Sequence, residues 1–140
     1  MRLLTFQARR FWWKSFSKTL EDVADEEVED ELTDAVVVWL HAEAGDEEPE
    51  MRKRVFRHTL KHVKWLAGKR GFRRVVLHSF THLGGENADP EFARGFIEEL
   101  AERLRGTDYE VKTTPFGYFC EWELSVYGES LAKVWKALDS

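Results

Sequence analysis

Six consecutive apolar residues constrain the fold of this chain more than any other feature. Residues 35–40 are Ala-Val-Val-Val-Trp-Leu, with three β-branched side chains in a row. A half-buried strand alternates apolar and polar residues, whereas a continuous run of this length is typical of a strand covered on both faces. The run therefore predicts a central strand with packing layers on both sides of its sheet.

Apolar spacing and end signals predict the other elements. Pro49 and Pro90 suit the first turn of a helix, and Gly68 and Gly106 suit a helix end. The predicted order is a strand at 2–8 whose pattern continues toward Phe16, the strand 35–40, a helix at 49–67, a strand at 74–80, a helix at 90–105, strands at 109–114 and 119–127, and a short helix at 131–138. The acidic segment 21–34 has few apolar residues and is predicted to be a loop or a poorly ordered connection.

These elements predict an α/β fold. A mixed central sheet would be covered by two main helices and a short C-terminal helix, all in a single domain spanning residues 1–140. A chain of 140 residues supports one hydrophobic core and leaves little room for a second.

Composition indicates a cytoplasmic protein. There is a single cysteine, Cys120, so no disulfide can form within the chain, and no apolar stretch approaches the roughly 20 residues of a membrane span. The first residues run directly into a strand pattern, from which we expect no signal peptide. We therefore expect no membrane association.

Charge is sorted along the chain, although the net charge is only −5. Residues 21–50 contain fourteen acidic and no basic residues, whereas residues 52–74 contain ten basic and no acidic residues. Solvated surface explains such sorting, and the alternative is a basic face that attracts a polyanion. The acidic net charge argues against a protein that coats nucleic acid broadly, but it allows contact with one end of an RNA.

Local signatures of nucleotide, dinucleotide and zinc chemistry do not occur in the sequence, nor does the Gly-x-Ser-x-Gly elbow of serine hydrolases. We expect no cofactor and no metal. Two loops at predicted strand ends remain as candidates, Ser79-Phe80-Thr81-His82-Leu83-Gly84-Gly85 and Thr114-Pro115-Phe116-Gly117-Tyr118-Phe119-Cys120. Ligands of α/β sheets collect beyond strand ends, although each loop alone is also compatible with a packing role.

Together the two loops resemble archaeal-type threonyl-tRNA synthetase editing domains. In that family a strand ends in Pro-Phe-Ala-His-Leu, and a later loop contains Ala-Pro-Phe-Gly-Tyr-Tyr-Lys. Element order and length also agree over essentially the whole chain, which resembles a free-standing member. The resemblance implies a D-aminoacyl-tRNA deacylase-like fold, a homodimer, and hydrolysis of serine wrongly esterified to threonine tRNA. In the family, main-chain groups hold the 3′-terminal adenosine of the aminoacyl-tRNA and position a water, and the terminal ribose hydroxyl assists.

The resemblance also assigns roles to residues. The catalytic candidates are His82, Cys120 and Lys133, and the substrate-binding candidates are His41, Ala42, Thr81, Pro115, Phe116, Gly117, Tyr118 and Phe119. Three of these depart from the family: Cys120 replaces a functional Lys, Phe119 replaces a Tyr, and Lys133 aligns with a Glu. A synthetase acting as a partner in trans is a further expectation.

These departures leave alternatives open. The chain could be a non-catalytic module that binds aminoacyl-tRNA or adenosine, or a deacylase acting on another aminoacyl or nucleotide-like ester. Two minor alternatives are a zinc site built from His41, His78, His82, Cys120 and Glu121, and a Cys120 nucleophile activated by His82. The segment Phe11-Trp12-Trp13 is predicted to contribute to a dimer interface, because a small monomer could not easily bury it.

Overall fold

Two long antiparallel strands, β1 (Arg2–Lys18) and β2 (Glu29–His41), form the centre of the sheet. The computed structural model describes residues 1–138. The remaining elements are α1 (Pro49–Gly68), β3 (Arg74–Ser79), α2 (Pro90–Arg105), β4 (Glu110–Thr113), β5 (Tyr118–Val126) and β6 (Lys133–Ala137), with single 3₁₀ turns at Ala44–Glu47 and Ser130–Ala132.

The strand order is β4-β3-β2-β1-β5, and β6 pairs with the first part of β1 on the same side as β5. β3 runs parallel to β2 and β4 parallel to β3, whereas β1 is antiparallel to all of its neighbours. The ends of β2, β3 and β4 therefore meet at one edge of the sheet, where ligand sites of α/β folds form.

Two helices cover one face of the sheet. Glu48 caps α1 by accepting the N–H groups of Glu50 and Met51, and Asp89 caps α2 by accepting that of Glu91. The apolar stripes of the helices pack on β2 and β3, with Val55, Val63, Phe96 and Leu100 among the buried side chains. The central strand is buried on both faces, as its sequence predicts: Val36, Val37 and Val38 are each 0% exposed.

The opposite face of the sheet is covered by β5, because the sheet curls so that β5 folds back over β2. β1 pairs with β5 through two register irregularities, at Ala8/Arg10 and Ser15/Ser17, and such bulges bend a strand. As a result Trp122 of β5 packs against Trp39 of β2, with ring centroids 4.7 Å apart. The curl is reinforced by Lys112 of β4, whose ammonium lies 2.9 Å from the Asp30 carboxylate of β2 and lowers the pKa of that carboxyl.

The mixed α/β sheet with two main helices is confirmed, but the predicted C-terminal helix is wrong. Residues 133–137 form β6, which pairs with β1 from Phe6↔Lys133 to Arg2↔Ala137. Leu131, Val134 and Leu138 are spaced as on a helix face, which explains the error. Residues 133–137 form a strand because they pair with residues 2–6 of β1, which lie more than 120 residues earlier in the chain.

Three other differences concern the curled region. β1 extends to Lys18, and β2 begins at Glu29, so only part of the acidic segment 21–34 is a connection. Phe11 and Trp13 are 0% and 1% exposed, because the curled sheet encloses them in a cluster of buried side chains that also contains Leu32, Val37 and Trp39. This burial within one chain removes the argument that Phe11-Trp12-Trp13 must be covered by a second copy.

No helix within residues 1–138 combines the length and apolar character needed to cross a bilayer.

Candidate functional site

A cavity of about 520 Å³ lies where β2, β3 and β4 end. Ala42 follows β2, residues 79–82 are the end of β3 and the start of the loop after it, and residues 114–117 follow β4; all contribute to its walls. We call this space the central cavity. Its volume is within the usual range for sites that hold a small molecule or one nucleotide.

The segment that connects β4 to β5, residues 114–117, forms one part of the cavity wall. β4 pairs with β3 at one edge of the sheet, while β5 pairs with β1 at the other, so these strands do not form a hairpin. Residues 114–117 must therefore cross the sheet end, and the five steps from Thr113 to Tyr118 reach at most roughly 18 Å. On a flat sheet β4 and β5 would lie four strand spacings apart, a distance of roughly 19 Å. The curvature of the sheet brings them close enough for this short connection.

Nine of the predicted site residues line the central cavity: Ala42, Thr81, His82, Pro115, Phe116, Gly117, Tyr118, Phe119 and Cys120. The two predicted residues that do not line it are His41 and Lys133.

His41 is a buried residue that holds the loop after β3. Its Nδ1 accepts the N–H of Leu83 at 3.1 Å, so Nε2 carries the proton and donates to Asn87 Oδ1 at 2.7 Å. Asn87 in turn lines the cavity. His41 therefore acts on the cavity through Leu83 and Asn87 rather than by contact with its contents.

Lys133 lies away from the cavity, in contrast to the catalytic role predicted for it. It is the first residue of β6, opposite Phe6 of β1, and its ammonium donates to the carbonyl of Tyr127 at 3.1 Å. Because residues 133–137 form a strand rather than a helix, its side chain cannot replace the cation missing at Cys120.

Main-chain hydrogen bonds fix the rest of the loop after β3. The N–H of Phe80 donates to Leu40 O, that of Ala88 donates to Ala42 O, and that of Gly85 donates to the Glu43 carboxylate. Gly84 permits a close approach, since a Cβ there would lie 2.6 Å from Cγ of Arg2. The loop is thus held at both ends and in the middle.

The turn between β4 and β5 depends on Gly117. Its φ is +82°, and an added Cβ would lie 2.8 Å from Val23 Cγ1. The carbonyl of Gly117 accepts the N–H groups of Thr19 and Leu20, both of which line the cavity. The next residue, Tyr118, donates its hydroxyl to Ala24 O and accepts the N–H of Glu26, so the acidic connection is tied to the cavity wall.

His78, Phe80 and Trp122 line one side of the cavity and belong to an aromatic cluster that continues behind it with Phe6 and Trp39. Trp39 is the centre of this cluster, with ring centroids 4.8 Å from Phe80 and 6.0 Å from His78. His78 pairs with the Thr114 hydroxyl at 2.8 Å, and burial lowers the pKa of His78 to about 4. The imidazole is therefore neutral at pH 7.

Sequence reasoning missed Trp122 and Asn87 as cavity residues. Trp122 could have been found, because it lies two residues after Cys120 and strand alternation puts both on one face. Asn87 carries no comparable signal, since its place depends on the hydrogen bond to His41.

Cys120 faces the cavity as a protonated thiol. Burial raises its pKa to about 11, and thiolate rather than thiol is the nucleophile. This burial disfavours the alternative in which His82 activates Cys120.

The zinc alternative lacks a ligand cluster within residues 1–138, where no three His, Cys, Asp or Glu side chains converge. His41 is occupied with Leu83 and Asn87, and His78 with Thr114.

Carboxylate, ammonium and guanidinium groups do not line the central cavity within the part of the chain that the structure describes. Among the described residues, those lining the cavity include no Asp, Glu, Lys or Arg. Such a wall suits an uncharged aromatic group, and it leaves proton transfer to water, main-chain groups, imidazole and the ligand itself.

The chain matches a known family over nearly its full length. Residues 1–138 match the profile described as the archaea-specific editing domain of threonyl-tRNA synthetase. Similar proteins include the threonine–tRNA ligases of Staphylothermus marinus, 32% identical over 99% of this chain, Pyrobaculum calidifontis, 31% over 96%, and Thermococcus kodakarensis, 30% over 96%. The match spans only 22% of the length of each ligase.

A solved structure shares the fold. The c-Myc DNA unwinding element binding protein superposes with a TM-score of 0.68 over 98% of both chains, at 15% sequence identity. At that identity the likeness concerns the fold alone. The family match over residues 1–138 goes further: the chain belongs to the archaea-specific editing domains of threonyl-tRNA synthetase.

Proposed function

We propose that this chain acts in trans as an editing hydrolase, which removes serine wrongly esterified to threonine tRNA. The observation that carries the proposal is the central cavity, because the loops that match the editing-domain pattern form its walls in a chain of that family. The ligand is the aminoacylated 3′-terminal adenosine of the tRNA.

The adenine ring would stack on the aromatic side chains of the 114–120 loop. Phe119 is 59% exposed at the cavity rim, and Phe116 is half-buried within it. Stacking of a base on an aromatic ring contributes about 1–3 kcal/mol and does not need a charged partner. Thr81 offers a hydroxyl on the opposite loop.

The hydrolysis would use a water held by the loops, with His82 beside the ester. The water oxygen forms a bond to the ester carbonyl carbon, and the bond between that carbon and the ribose oxygen breaks. The water proton passes to the departing ribose oxygen through the neighbouring hydroxyl of the same ribose, and free serine leaves. Neither a thiolate nor a lysine enters these steps.

The proposal also covers the oligomeric state of the chain and its partner. We propose a homodimer in the cytoplasm, which meets its tRNA after release from a synthetase acting as a partner in trans. The exposed Trp135 on β6 supports the dimer.

The direct test is deacylation by the isolated chain of seryl-tRNA(Thr), threonyl-tRNA(Thr) and a D-aminoacyl-tRNA. We expect the seryl ester to be hydrolysed fastest. Thr81→Trp should abolish this activity, because an indole on this exposed cavity residue obstructs the space that the ligand needs. The matched control is Thr107→Trp, also exposed but beyond the far end of α2, roughly 24 Å along the helix axis. Equal loss in both variants would contradict the assignment of the site.

A second substrate tests the role of the ribose. Replacing the hydroxyl next to the ester with hydrogen should slow hydrolysis by about a hundredfold, a barrier change of about 2.7 kcal/mol. Unchanged hydrolysis would contradict the proposed steps.

A non-catalytic binding module is the second candidate, and it is favoured by a cavity wall that, among the described residues, lacks Asp, Glu, Lys and Arg. It predicts that the seryl ester binds in competition with an aminoacyl-adenosine mimic but is never hydrolysed. A reaction by the wild-type chain that Thr81→Trp removes would exclude this candidate.

A further inference from the structure

The exposed face of α1 carries a row of basic side chains that the proposed hydrolysis does not use. Arg54, Arg57 and Lys61 are all exposed. Because they are three and four residues apart, they lie on one side of the helix. We call these three residues the α1 ridge.

The cations of the α1 ridge form no close ion pair within residues 1–138, unlike other basic residues nearby, although the pKa of the Glu48 carboxyl at the start of the helix is lowered by two backbone N–H groups and, to a smaller extent, by Arg54. Arg52 pairs with Glu99, Arg70 with Glu129 and Arg74 with Glu110. Within residues 1–138, no carboxylate forms an ion pair with any of the three ridge residues at 4.0 Å or less.

Without close ion pairs, repulsion between the ridge cations destabilises the folded chain when no ligand is bound. Like charges three or four residues apart destabilise a helix by about 0.2–0.5 kcal/mol per pair. Two such pairs follow one another here, Arg54 with Arg57 and Arg57 with Lys61. A polyanion lying along the helix would turn this repulsion into attraction.

A shallow cavity of about 320 Å³ extends the basic surface from α1 to β6. Its lining includes Lys61 and Trp65 of α1 and Lys136 of β6. Trp65 is 45% exposed, and Lys69 Nζ lies 5.6 Å from its ring centroid. His62 adds no charge there, because burial and the nearby Lys136 lower its pKa to about 4.

The α1 ridge starts at the end of the molecule that holds the central cavity. Glu47, two residues before α1, accepts the N–H of Asp89, and the adjacent Pro90 lines the central cavity. At 1.5 Å per residue, the ridge covers the stretch roughly 8–18 Å along α1 from that end. An RNA with its 3′ end in the cavity has its preceding nucleotides within this range.

We propose that the α1 ridge binds the sugar–phosphate backbone of the acceptor arm of the tRNA, without reading its sequence. The inference rests on the proposed function, because the 3′ end in the central cavity decides which polyanion lies beside α1. Three cations contribute a limited salt-dependent part of the affinity, which agrees with the acidic net charge of the whole chain.

The test compares the wild-type chain with the variant Arg54→Ala/Arg57→Ala/Lys61→Ala. The probe is an RNA hairpin that carries an acceptor stem and a single-stranded 3′ end. Each lost phosphate contact flattens the slope of log affinity against log salt by about 0.7–0.9, so the variant should lose about 2–3 units of slope. Hydrolysis of a short 3′-seryl-adenosine should stay within twofold of wild type, because it has no acceptor arm.

The matched control removes three basic residues that are already neutralised. Arg10, Arg74 and Arg105 each pair with a glutamate, so Arg10→Ala/Arg74→Ala/Arg105→Ala should leave the salt slope unchanged. Equal slopes for the ridge variant and wild type, or equal losses in both variants, would overturn the proposal. Competition by an acidic peptide at the same charge concentration as the RNA would also overturn it, in favour of an acidic protein.

The outcomes separate this inference from the proposed function. If seryl-adenosine is not hydrolysed but the ridge variant still has a flatter salt slope than wild type, RNA binding by the α1 ridge is supported and the proposed hydrolysis is contradicted. If hydrolysis proceeds and the salt slope is the same in both chains, only the ridge fails.

Discussion

At the residue scale, Cys120 shows how burial decides between two chemistries. Its thiol pKa of about 11 leaves about one molecule in a thousand as thiolate at pH 8. We therefore expect Cys120→Ala and Cys120→Ser to change the rate of seryl-tRNA hydrolysis by less than about tenfold, under about 1.4 kcal/mol of barrier. Single-turnover deacylation measures this directly.

Cys120→Lys completes the test, since it restores the residue of the related editing domains. Its rate should equal or exceed that of wild type, because no other cation lines the central cavity among the described residues. A loss of several orders of magnitude in Cys120→Ala, with an unchanged circular dichroism spectrum, would show instead that the thiol attacks the ester.

His78 gives a prediction for pH. Its folded-state pKa is about 4, below the ordinary 6.5, so the unfolded chain binds more protons between these values. The free energy of unfolding should therefore fall as pH is lowered from 6.5 toward 4, by at most about 1.4 kcal/mol per pH unit from this residue. Above pH 6.5 the contribution is constant.

Urea denaturation at several pH values tests this contribution. Carboxylates also titrate in the same window, so the quantity to compare is the pH slope of His78→Gln against wild type. The slope should be smaller in that variant. His82→Gln, at an exposed histidine on the loop that follows β3, is the control and should keep the wild-type slope. Equal slopes in all three chains would contradict a buried neutral His78.

At the scale of elements, the turn between β4 and β5 depends on one backbone conformation. Gly117→Ala should destabilise the chain by about 1–3 kcal/mol, because φ is +82° and the new Cβ meets Val23. The same change should weaken binding of an aminoacyl-adenosine mimic, since Gly117 O holds Thr19 and Leu20 at the cavity wall.

The matched control for this turn is Gly128→Ala. Gly128 is exposed, and an added Cβ meets nothing within 4 Å. Its stability should equal or slightly exceed that of wild type, because alanine restricts the unfolded chain more than glycine does. A Gly117→Ala chain as stable as the Gly128→Ala chain would show that the turn adapts without strain.

The elements with strong local signals could be predicted from the sequence. The run 35–40 determines a strand buried on both faces, and Pro49 and Asp89 mark helix starts within a residue. β6 was mistaken for a helix, because Leu131, Val134 and Leu138 are spaced as on a helix face and only distant pairing with β1 makes this segment a strand.

The sequence allowed the loops that line the central cavity to be predicted, but not the wall that β5 contributes. Residues 80–82 and 114–117 follow the adjacent strands β3 and β4, so their meeting point follows from strand order. Trp122 reaches the cavity because bulges in β1 curl the sheet, and nothing local in the sequence determines how strongly it curls. Lys133 was misplaced for a related reason, since its position depends on β6 pairing with β1.

At the scale of the whole molecule, the free edge of β6 offers a surface for self-association. Within the described residues β6 pairs only with β1, and its Trp135 is 55% exposed. Antiparallel pairing of β6 with its own copy about Trp135 would stack two tryptophans across a two-fold axis. In that register Lys133 lies opposite Ala137 and Lys136 opposite Val134, so no like charges face each other.

The expected outcome is a dimer of mass near twice 16.5 kDa by light scattering at micromolar concentration. Trp135→Glu should shift the mass to that of the monomer, because it places two carboxylates directly opposite each other, whereas Trp135→Phe should keep the dimer. Phe16→Glu, at an exposed aromatic residue near the end of β1, is the control and should remain dimeric. A wild-type mass of 16.5 kDa would contradict self-association. A dimer that persists with unchanged affinity in Trp135→Glu would instead place the interface elsewhere, because like charges directly opposite each other destabilise a strand pair.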